Sequence, residues 1–247
     1  MIESTDELRV EQRDGWYLHL TLTRPKRGNA LSNTLVETLL AALECAGEEK
    51  VRLVSFAAEG PNFCSGFDLS GIADQGDADL VYKLLRIELL LQRVAYAPFL
   101  TLALAKGRVV GAGADLFCAC SERIAAPGTT FRMPGWRFGI ALGTRRLAAR
   151  IGPDAARRIL SESRHFDADE ALAMGFATAV MEEADWPPTI KHLGLRAQAL
   201  DWESHKHLMH LTVSDTRSED MAALVESSTR PGLRERIIEY RSRETSR

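Results

Sequence analysis

Two glycine-bearing turns carry groups that could act on a carbonyl. The first turn is residues 60–69, GPNFCSGFDL, and the second is residues 106–116, KGRVVGAGADL. Each follows an apolar run typical of a strand and precedes a run typical of a helix. Glycine turns expose backbone N–H groups, and the first amides of a helix have no intrahelical partner. Two such turns brought together could hold one carbonyl oxygen between two N–H donors, as an oxyanion hole does.

Three acidic residues near these turns are candidates for moving a proton. Asp115 lies three residues after Ala112, so the two share one face of a helix that begins near Ala112. A carboxylate there could act as a general acid or base, or it could only complement the helix dipole. Asp68 directly follows the first turn and could instead cap the next helical turn. Glu88 sits in an apolar helical stretch and is a further candidate base, and a solvated helix face is the alternative interpretation.

Periodicity predicts the elements that must position these residues. Alternation of strands with helices indicates parallel pairing in an α/β domain. From Gly143 onward the pattern is almost wholly helical, and its last amphipathic stretch, residues 233–240, could be a subunit contact, a lid or a surface helix. The predicted strands span about 16–22, 51–56, 99–105 and 178–181, and the predicted helices span about 32–45, 80–94 and 112–120.

The two turns, in this order, resemble the signature of the crotonase (enoyl-CoA hydratase/isomerase) superfamily. The resemblance extends over roughly residues 8–182 and implies an α/β spiral of ββα units with a helical C-terminal trimerisation region. It predicts a spiral core with an acyl-CoA site over residues 1–185. A helical oligomerisation region over 186–247 belongs to the same structural unit. The further segments that resemble the family are 24–31, 121–126, 150–156 and 166–177.

By this resemblance, the N–H groups of Phe67 and Ala112 form the oxyanion hole for a thioester carbonyl. Asp115 stands where hydratases of the family carry a first catalytic glutamate, and it is one methylene shorter. The position of their second catalytic glutamate falls on Gly135, which cannot carry a proton. Ordinary two-glutamate hydration is therefore doubtful, and chemistry with one base, or none, is expected.

The same resemblance predicts where coenzyme A binds. Arg24, Lys26 and Arg27 cluster in a loop that lines the coenzyme channel in relatives, and their charge suits a phosphate. A solvated loop is the alternative. The other predicted substrate-side residues are Ala30, Cys64, Gly66, Asp68, Leu69, Gly111, Gly135 and Trp136.

The function expected is acyl-CoA processing of the enoyl-CoA hydratase/isomerase type, as a lyase or isomerase that stabilises a thioester enolate. Double-bond isomerisation or decarboxylation suits a single base better than hydration does. The alternative is a non-catalytic acyl-CoA-binding scaffold that has lost the second glutamate. The expected partners are an acyl-CoA thioester and further copies of the chain in a homotrimer or hexamer. No metal is expected, and no cofactor beyond the coenzyme A of the substrate.

Bulk properties exclude several other classes. A net charge of −3 gives no reason to expect a nucleic-acid surface. The acidic N-terminus does not resemble a secretory signal, and no uninterrupted apolar run approaches the ~20 residues of a membrane span. The four cysteines form no C-x-x-C pair, so we expect them to be reduced and mostly buried. The expected location is the cytoplasm.

Overall fold

Nine strands form two sheets in the computed structural model, which describes residues 3–245. The larger sheet has six strands in the order β1-β2-β3-β4-β6-β9, and the smaller has three in the order β5-β7-β8. The strands are β1 (Leu8–Arg13), β2 (Tyr17–Leu22), β3 (Leu53–Ala58), β4 (Leu100–Ala105), β5 (Arg108–Val110), β6 (Glu122–Ala125), β7 (Thr130–Arg132), β8 (Phe166–Asp167) and β9 (Ala179–Val180).

Ten α-helices connect and cover these strands within residues 3–245. The first three alternate with strands, and the remainder are concentrated after residue 143, as the sequence predicts. The helices are α1 (Asn33–Glu48), α2 (Asp77–Ala95), α3 (Ala112–Ala119), α4 (Thr144–Ile151), α5 (Pro153–Glu162), α6 (Ala168–Ala173), α7 (Trp186–Gln198), α8 (Trp202–Thr212), α9 (Arg217–Ser228) and α10 (Leu233–Thr245).

Parallel pairing holds through the larger sheet except at its first edge. β2, β3, β4, β6 and β9 pair in parallel, whereas β1 pairs antiparallel with β2. A tight turn joins β1 to β2, with positive φ at Asp14 (53°) and Gly15 (70°). So short a connection can join only antiparallel strands, which explains this departure from the predicted pattern.

Local sequence signals begin the first helix where they predict it. The Ser32 hydroxyl accepts a hydrogen bond of 3.1 Å from the backbone N–H of Leu35, as an N-cap does. Leu35, Val36 and Leu39 then form the buried stripe of α1. The predicted start of this helix is confirmed.

The helix that follows the second glycine turn is held by aromatic packing. All eight residues of α3 are buried. Phe117 of α3 packs against Phe131 and Phe176, with ring centroids 5.0 and 5.3 Å away. Such contacts fix the position of a short helix that would not be stable alone. The N-terminus of α3 is therefore a rigid point in the fold.

The C-terminal helices return to the core and also leave apolar side chains in solvent. Leu224 of α9 and Leu233 and Ile237 of α10 are fully buried. The carboxylate of Asp77 accepts hydrogen bonds of 2.8 to 3.0 Å from the backbone N–H groups of residues 232–234, which anchors the start of α10. Within the described residues, no helix is long and apolar enough to cross a bilayer. The most exposed leucines in this region are Leu195, Leu208 and Leu211.

Candidate active site

The two glycine turns meet in the folded chain. A Cβ atom built on Gly66 would lie 2.6 Å from the Val110 carbonyl oxygen and 3.1 Å from the Ala112 nitrogen. A Cβ on Gly113 would lie 2.6 Å from the Cys64 carbonyl oxygen. Any side chain at either glycine would push the turns apart. The expectation that the turns come together is met.

The backbone N–H groups of Phe67 and Ala112 have no hydrogen-bond partner among residues 3–245. Leu31 pairs with both neighbours of Phe67, since it donates to the Gly66 carbonyl (2.8 Å) and accepts from Asp68 N–H (3.3 Å). Ala112 is the first residue of α3, so its N–H has no intrahelical acceptor. Gly111 precedes it at φ 54° and ψ −127°, a conformation that glycine alone adopts readily.

Phe67 and Ala112 both line a cavity of ≈ 150 Å³. Its wall contains Ser65, Phe67 and Gly111 from the turns, Asp115 from α3, and Tyr240 from the C-terminal helix. The remaining surface is largely apolar, which excludes water and strengthens electrostatic interactions inside. The main apolar contributors are Leu84, Met133, Phe138, Ile140, Leu142 and Leu160.

Asp115 is the acidic side chain of this cavity. It is only 4% exposed, and its Oδ1 atom is buried without a hydrogen-bond partner among the described residues. Burial raises the pKa of Asp115 well above its ordinary value. The nearby charge of Glu88 also raises this pKa, and the charge of Arg146 lowers it only in part. Gly143 packs directly on the carboxyl group, so that a Cβ there would overlap Oδ1 and lie 2.8 Å from Cγ. The Asp115 carboxyl group is thus confined against Gly143, and its Oδ1 atom has no hydrogen-bond partner among the described residues.

Glu88 forms a buried ion pair with Arg146. It is 1% exposed, so the prediction of a solvated helix face is wrong. Its two carboxylate oxygens accept from Arg146 Nη1 and Nη2 at 3.0 and 2.5 Å, and Gln92 donates a third hydrogen bond. Arg146 also contacts Asp220 at 3.1 Å, which links α2, α4 and α9. Glu88 does not line the cavity and serves as a structural link behind Asp115.

Asp68 also has a structural role in this conformation. Its Oδ1 accepts from Ser70 N–H at 2.9 Å, and its Oδ2 accepts from Arg24 Nη1 at 2.9 Å. Burial alone would raise the pKa of Asp68, but hydrogen bonds from Ser70 and Arg24 outweigh it and lower the pKa. These contacts support a structural role, but the predicted helix cap is wrong, because the next helical turn, Ile72–Asp74, follows Gly71 and has no side-chain cap.

The three basic residues of the loop differ in their surroundings. Arg24 pairs with Glu7 (3.0 Å) and Asp68 (2.9 Å), and it donates to the Ala30 carbonyl, so its charge is balanced within the chain. Lys26 and Arg27 are exposed and have no ion pair among residues 3–245. The phosphate-binding prediction therefore depends on Lys26 and Arg27.

That loop is joined to the first glycine turn. Ser65 N–H donates to the Gly28 carbonyl at 2.8 Å, and a Cβ on Gly28 would lie 2.9 Å from Ser65 Oγ. A ligand held by Lys26 and Arg27 would therefore lie close to the edge of the cavity where Phe67 stands.

The remaining predicted substrate-side residues differ in position. Leu69, Gly135 and Trp136 line the cavity, and Trp136 is 45% exposed at its edge, where Nε1 donates to Thr144 Oγ1. Cys64 belongs to the first turn and is fully buried. Burial raises the pKa of its thiol to about 12, so it supplies packing rather than a nucleophile.

Two residues of the site escaped the sequence analysis. Gly143 confines the Asp115 carboxyl group. In the sequence, only its place in a glycine-containing loop between apolar residues could have indicated this role. Tyr240 closes the cavity from α10 and packs on Phe138, with ring centroids 5.3 Å apart. This contact favours the lid interpretation of residues 233–240. No group of three metal-ligating side chains occurs in the part of the chain that the structure describes.

Comparison with known proteins identifies the family. The enoyl-CoA hydratase/isomerase family model matches residues 16–227. A probable enoyl-CoA hydratase of Mycobacterium tuberculosis is 33% identical over 182 residues, which cover 71% of this chain and 73% of the relative. The mitochondrial methylglutaconyl-CoA hydratase of Mus musculus is 30% identical over 190 residues, which cover 74% of this chain and 60% of the relative.

A crystal structure of a candidate enoyl-CoA hydratase/isomerase from Bordetella parapertussis superimposes with a TM-score of 0.93 and 44% identity. The superposition covers 95% of this chain and 98% of that one. The crotonase fold predicted from the sequence is confirmed. The chain belongs to the enoyl-CoA hydratase/isomerase family.

Proposed function

We propose that this protein is an acyl-CoA enzyme that stabilises a thioester enolate and moves one proton with Asp115. The observation that supports this most strongly is the content of the cavity. Phe67 and Ala112, whose backbone N–H groups have no partner among the described residues, and Asp115, whose Oδ1 atom has none, border the same small apolar cavity. Groups left unsatisfied in a folded chain cost free energy, and at a catalytic site the substrate satisfies them.

The two N–H groups would receive the thioester oxygen. That oxygen gains negative charge when a proton leaves the α-carbon, and preorganised donors stabilise the charge without rearrangement. One such donor is commonly worth roughly 10²–10³ in rate. The N-terminal end of α3 adds its dipole in the same direction.

Asp115 would carry the proton in a double-bond isomerisation. Its carboxylate takes a proton from C2 of a 3-enoyl-CoA, and the electron pair of that C–H bond spreads through a dienolate onto the oxygen. The protonated Asp115 then gives a proton to C4, which yields the conjugated 2-enoyl-CoA and restores the carboxylate. Because burial raises its pKa, the ionised form of Asp115 is a stronger base than an exposed aspartate.

Hydration receives less support from the lining. Of the residues that border the cavity, all of them described, Asp115 alone carries a carboxylate. Gly135 stands on the wall where a second acid would be needed, and a Cβ there would lie 3.1 Å from the Ile140 carbonyl oxygen. One base is enough for isomerisation, and decarboxylation needs no base to remove the α-proton.

Lys26 and Arg27 are proposed to bind a phosphate of coenzyme A, which is the only cofactor group that we expect. The exposed leucines of α7 and α8 support a homotrimer or hexamer, since an unpartnered apolar surface favours association. A cytoplasmic location completes the proposal.

The direct test is a pair of spectrophotometric assays, with crotonyl-CoA for hydration and a 3-enoyl-CoA for isomerisation, beside a binding titration with acetyl-CoA. We expect binding and turnover of the 3-enoyl-CoA. Binding without turnover of either substrate would support the non-catalytic scaffold, which the hydratase relatives do not favour. Absence of binding would contradict the proposed function.

A further inference from the structure

A second cleft lies beside the acyl cavity and is rich in arginine. Its volume is ≈ 520 Å³, and five arginines and three glutamates line it. The cleft is formed between the 3₁₀ turn at residues 135–138, the end of α5, the α9–α10 connection and α10. Nothing in the proposed proton transfer uses these arginines.

The glutamates of the cleft already have partners. Glu239 pairs with Arg243 at 2.5 Å, and Glu162 lies 3.9 Å from Arg164 outside the cleft. Glu244 accepts from Arg132, with 3.0 Å between Oε1 and Nη2. Three arginines then remain without an ion pair among residues 3–245, namely Arg137, Arg230 and Arg236.

Two of these cations converge on one point. A Cβ atom built on Gly139 would lie 2.8 Å from Arg236 Nη1 and 3.4 Å from Arg230 Nη1. The Nε and Nη1 atoms of Arg236 are buried and have no hydrogen-bond partner in the described chain. Burial, and then the charge of Arg230, lower the pKa of Arg236. Converging cations with unsatisfied N–H groups are costly in a folded protein unless an anion joins them.

The cleft and the acyl cavity share one wall, made by Trp136, Phe138 and Tyr240. Neither Phe67 nor Ser65, which mark the thioester end of the cavity, borders the cleft. Since the loop of Lys26 and Arg27 is joined to Ser65, the coenzyme end of a bound thioester would lie on that side. The arginines therefore lie across the wall of Trp136, Phe138 and Tyr240, away from the thioester end of the cavity.

We propose that this cleft binds a carboxylate at the distal end of the acyl group, so that the ligands are coenzyme A monothioesters of dicarboxylic acids. The proposal rests on the proposed acyl-CoA function and narrows its substrate class. A guanidinium group presents parallel N–H donors that match the two oxygens of a carboxylate. Gly139 leaves the space between Arg230 and Arg236 free of a side chain.

The test compares two five-carbon ligands that differ in one charged group, glutaryl-CoA and pentanoyl-CoA, with free coenzyme A as a third. Dissociation constants are measured by calorimetry for the wild type, Arg236→Gln and Arg230→Gln. Arg217→Gln, at the start of α9 and outside the cleft, is the control for the change in net charge. Thermal unfolding of each variant establishes that it is folded.

We expect the wild type to bind glutaryl-CoA at least ~10-fold more tightly than pentanoyl-CoA, the scale of one charge-assisted hydrogen bond. Arg236→Gln or Arg230→Gln should remove most of that preference, and Arg217→Gln should keep it. Equal binding of the two thioesters by the wild type would overturn this proposal alone. Equal weakening of all three ligands in the arginine variants would assign the cleft to a coenzyme phosphate and would also overturn it. Failure of every ligand to bind would overturn the proposed function as well.

Discussion

Replacement of Asp115 by asparagine should abolish most activity while making the protein more stable at neutral and alkaline pH. Asparagine has nearly the same shape as the protonated aspartic acid, so the contact with Gly143 is kept. It cannot accept a proton from carbon, and the loss of a general base lowers turnover by ~10²-fold or more. Binding of acyl-CoA should change little, because Asp115 is proposed to act on the reacting carbons only.

The pH dependence of stability follows from the pKa of Asp115. Burial raises the folded pKa above the ordinary value of 3.8, so between these two values the folded state holds a proton that the unfolded state releases. Wild-type stability therefore falls as pH rises through that window, by the linkage between proton binding and folding. The asparagine variant lacks this loss. The gain in its free energy of unfolding should grow by about 1.4 kcal/mol for each pH unit above 3.8, up to the folded pKa.

Thermal unfolding from pH 4 to pH 8 measures this difference. A gain of 1 kcal/mol corresponds to about 2–4 °C in Tm for a chain of this size. We expect the two proteins to unfold at similar temperatures at pH 4 and the variant to be several degrees more stable at pH 8. A variant that is less stable at every pH, or one that keeps wild-type turnover, would refute the assignment of Asp115 as a buried, unpartnered base.

Four further outcomes are expected. Replacing Lys26 and Arg27 together by alanine should weaken coenzyme A binding several-fold at low salt and less at high salt, as titration at two ionic strengths would show. Arg24→Ala should instead lower the free energy of unfolding by about 1–3 kcal/mol, because it leaves Glu7 and Asp68 unpaired. Gly143→Ala should reduce turnover ~10²-fold or more by displacing the carboxyl group it contacts, with intact folding by circular dichroism. Light scattering should give the mass of a trimer or hexamer, and a stable monomer would count against the assembly.

Local features made much of the fold predictable. The Ser32 cap, the apolar stripe of α1 and the run of β4 each depend on neighbours within a few residues, and the structure has them close to the predicted positions. The two glycine turns were also recognisable, because Gly66 and Gly111 have positive φ angles that other residues rarely adopt. Strand β1 was not predicted, because polar and apolar residues alternate only weakly in this edge strand. Its stability depends on pairing with β2.

Long-range partners explain what the sequence could not supply. Glu88 lies among leucines, and nothing near it indicates that Arg146 from α4 would neutralise it. The sequence does not distinguish Arg24 from Lys26 and Arg27, whereas the structure shows that Arg24 forms ion pairs with Glu7 and Asp68. The convergence of Arg230 and Arg236 arises from the path of α10 across the cavity, which helical periodicity does not specify.

Hydrogen–deuterium exchange at the α-carbon measures whether the Phe67 and Ala112 N–H groups stabilise an enolate. The rate of exchange at C2 of a saturating 3-enoyl-CoA in D₂O is followed by NMR for the wild type and for Ala112→Pro. Proline removes one N–H and is otherwise favourable at the first position of a helix, and a binding titration checks that the thioester still binds. We expect the exchange rate in the variant to fall by roughly 10²–10³-fold, the contribution of one such donor. Exchange at the wild-type rate in Ala112→Pro would contradict this stabilisation.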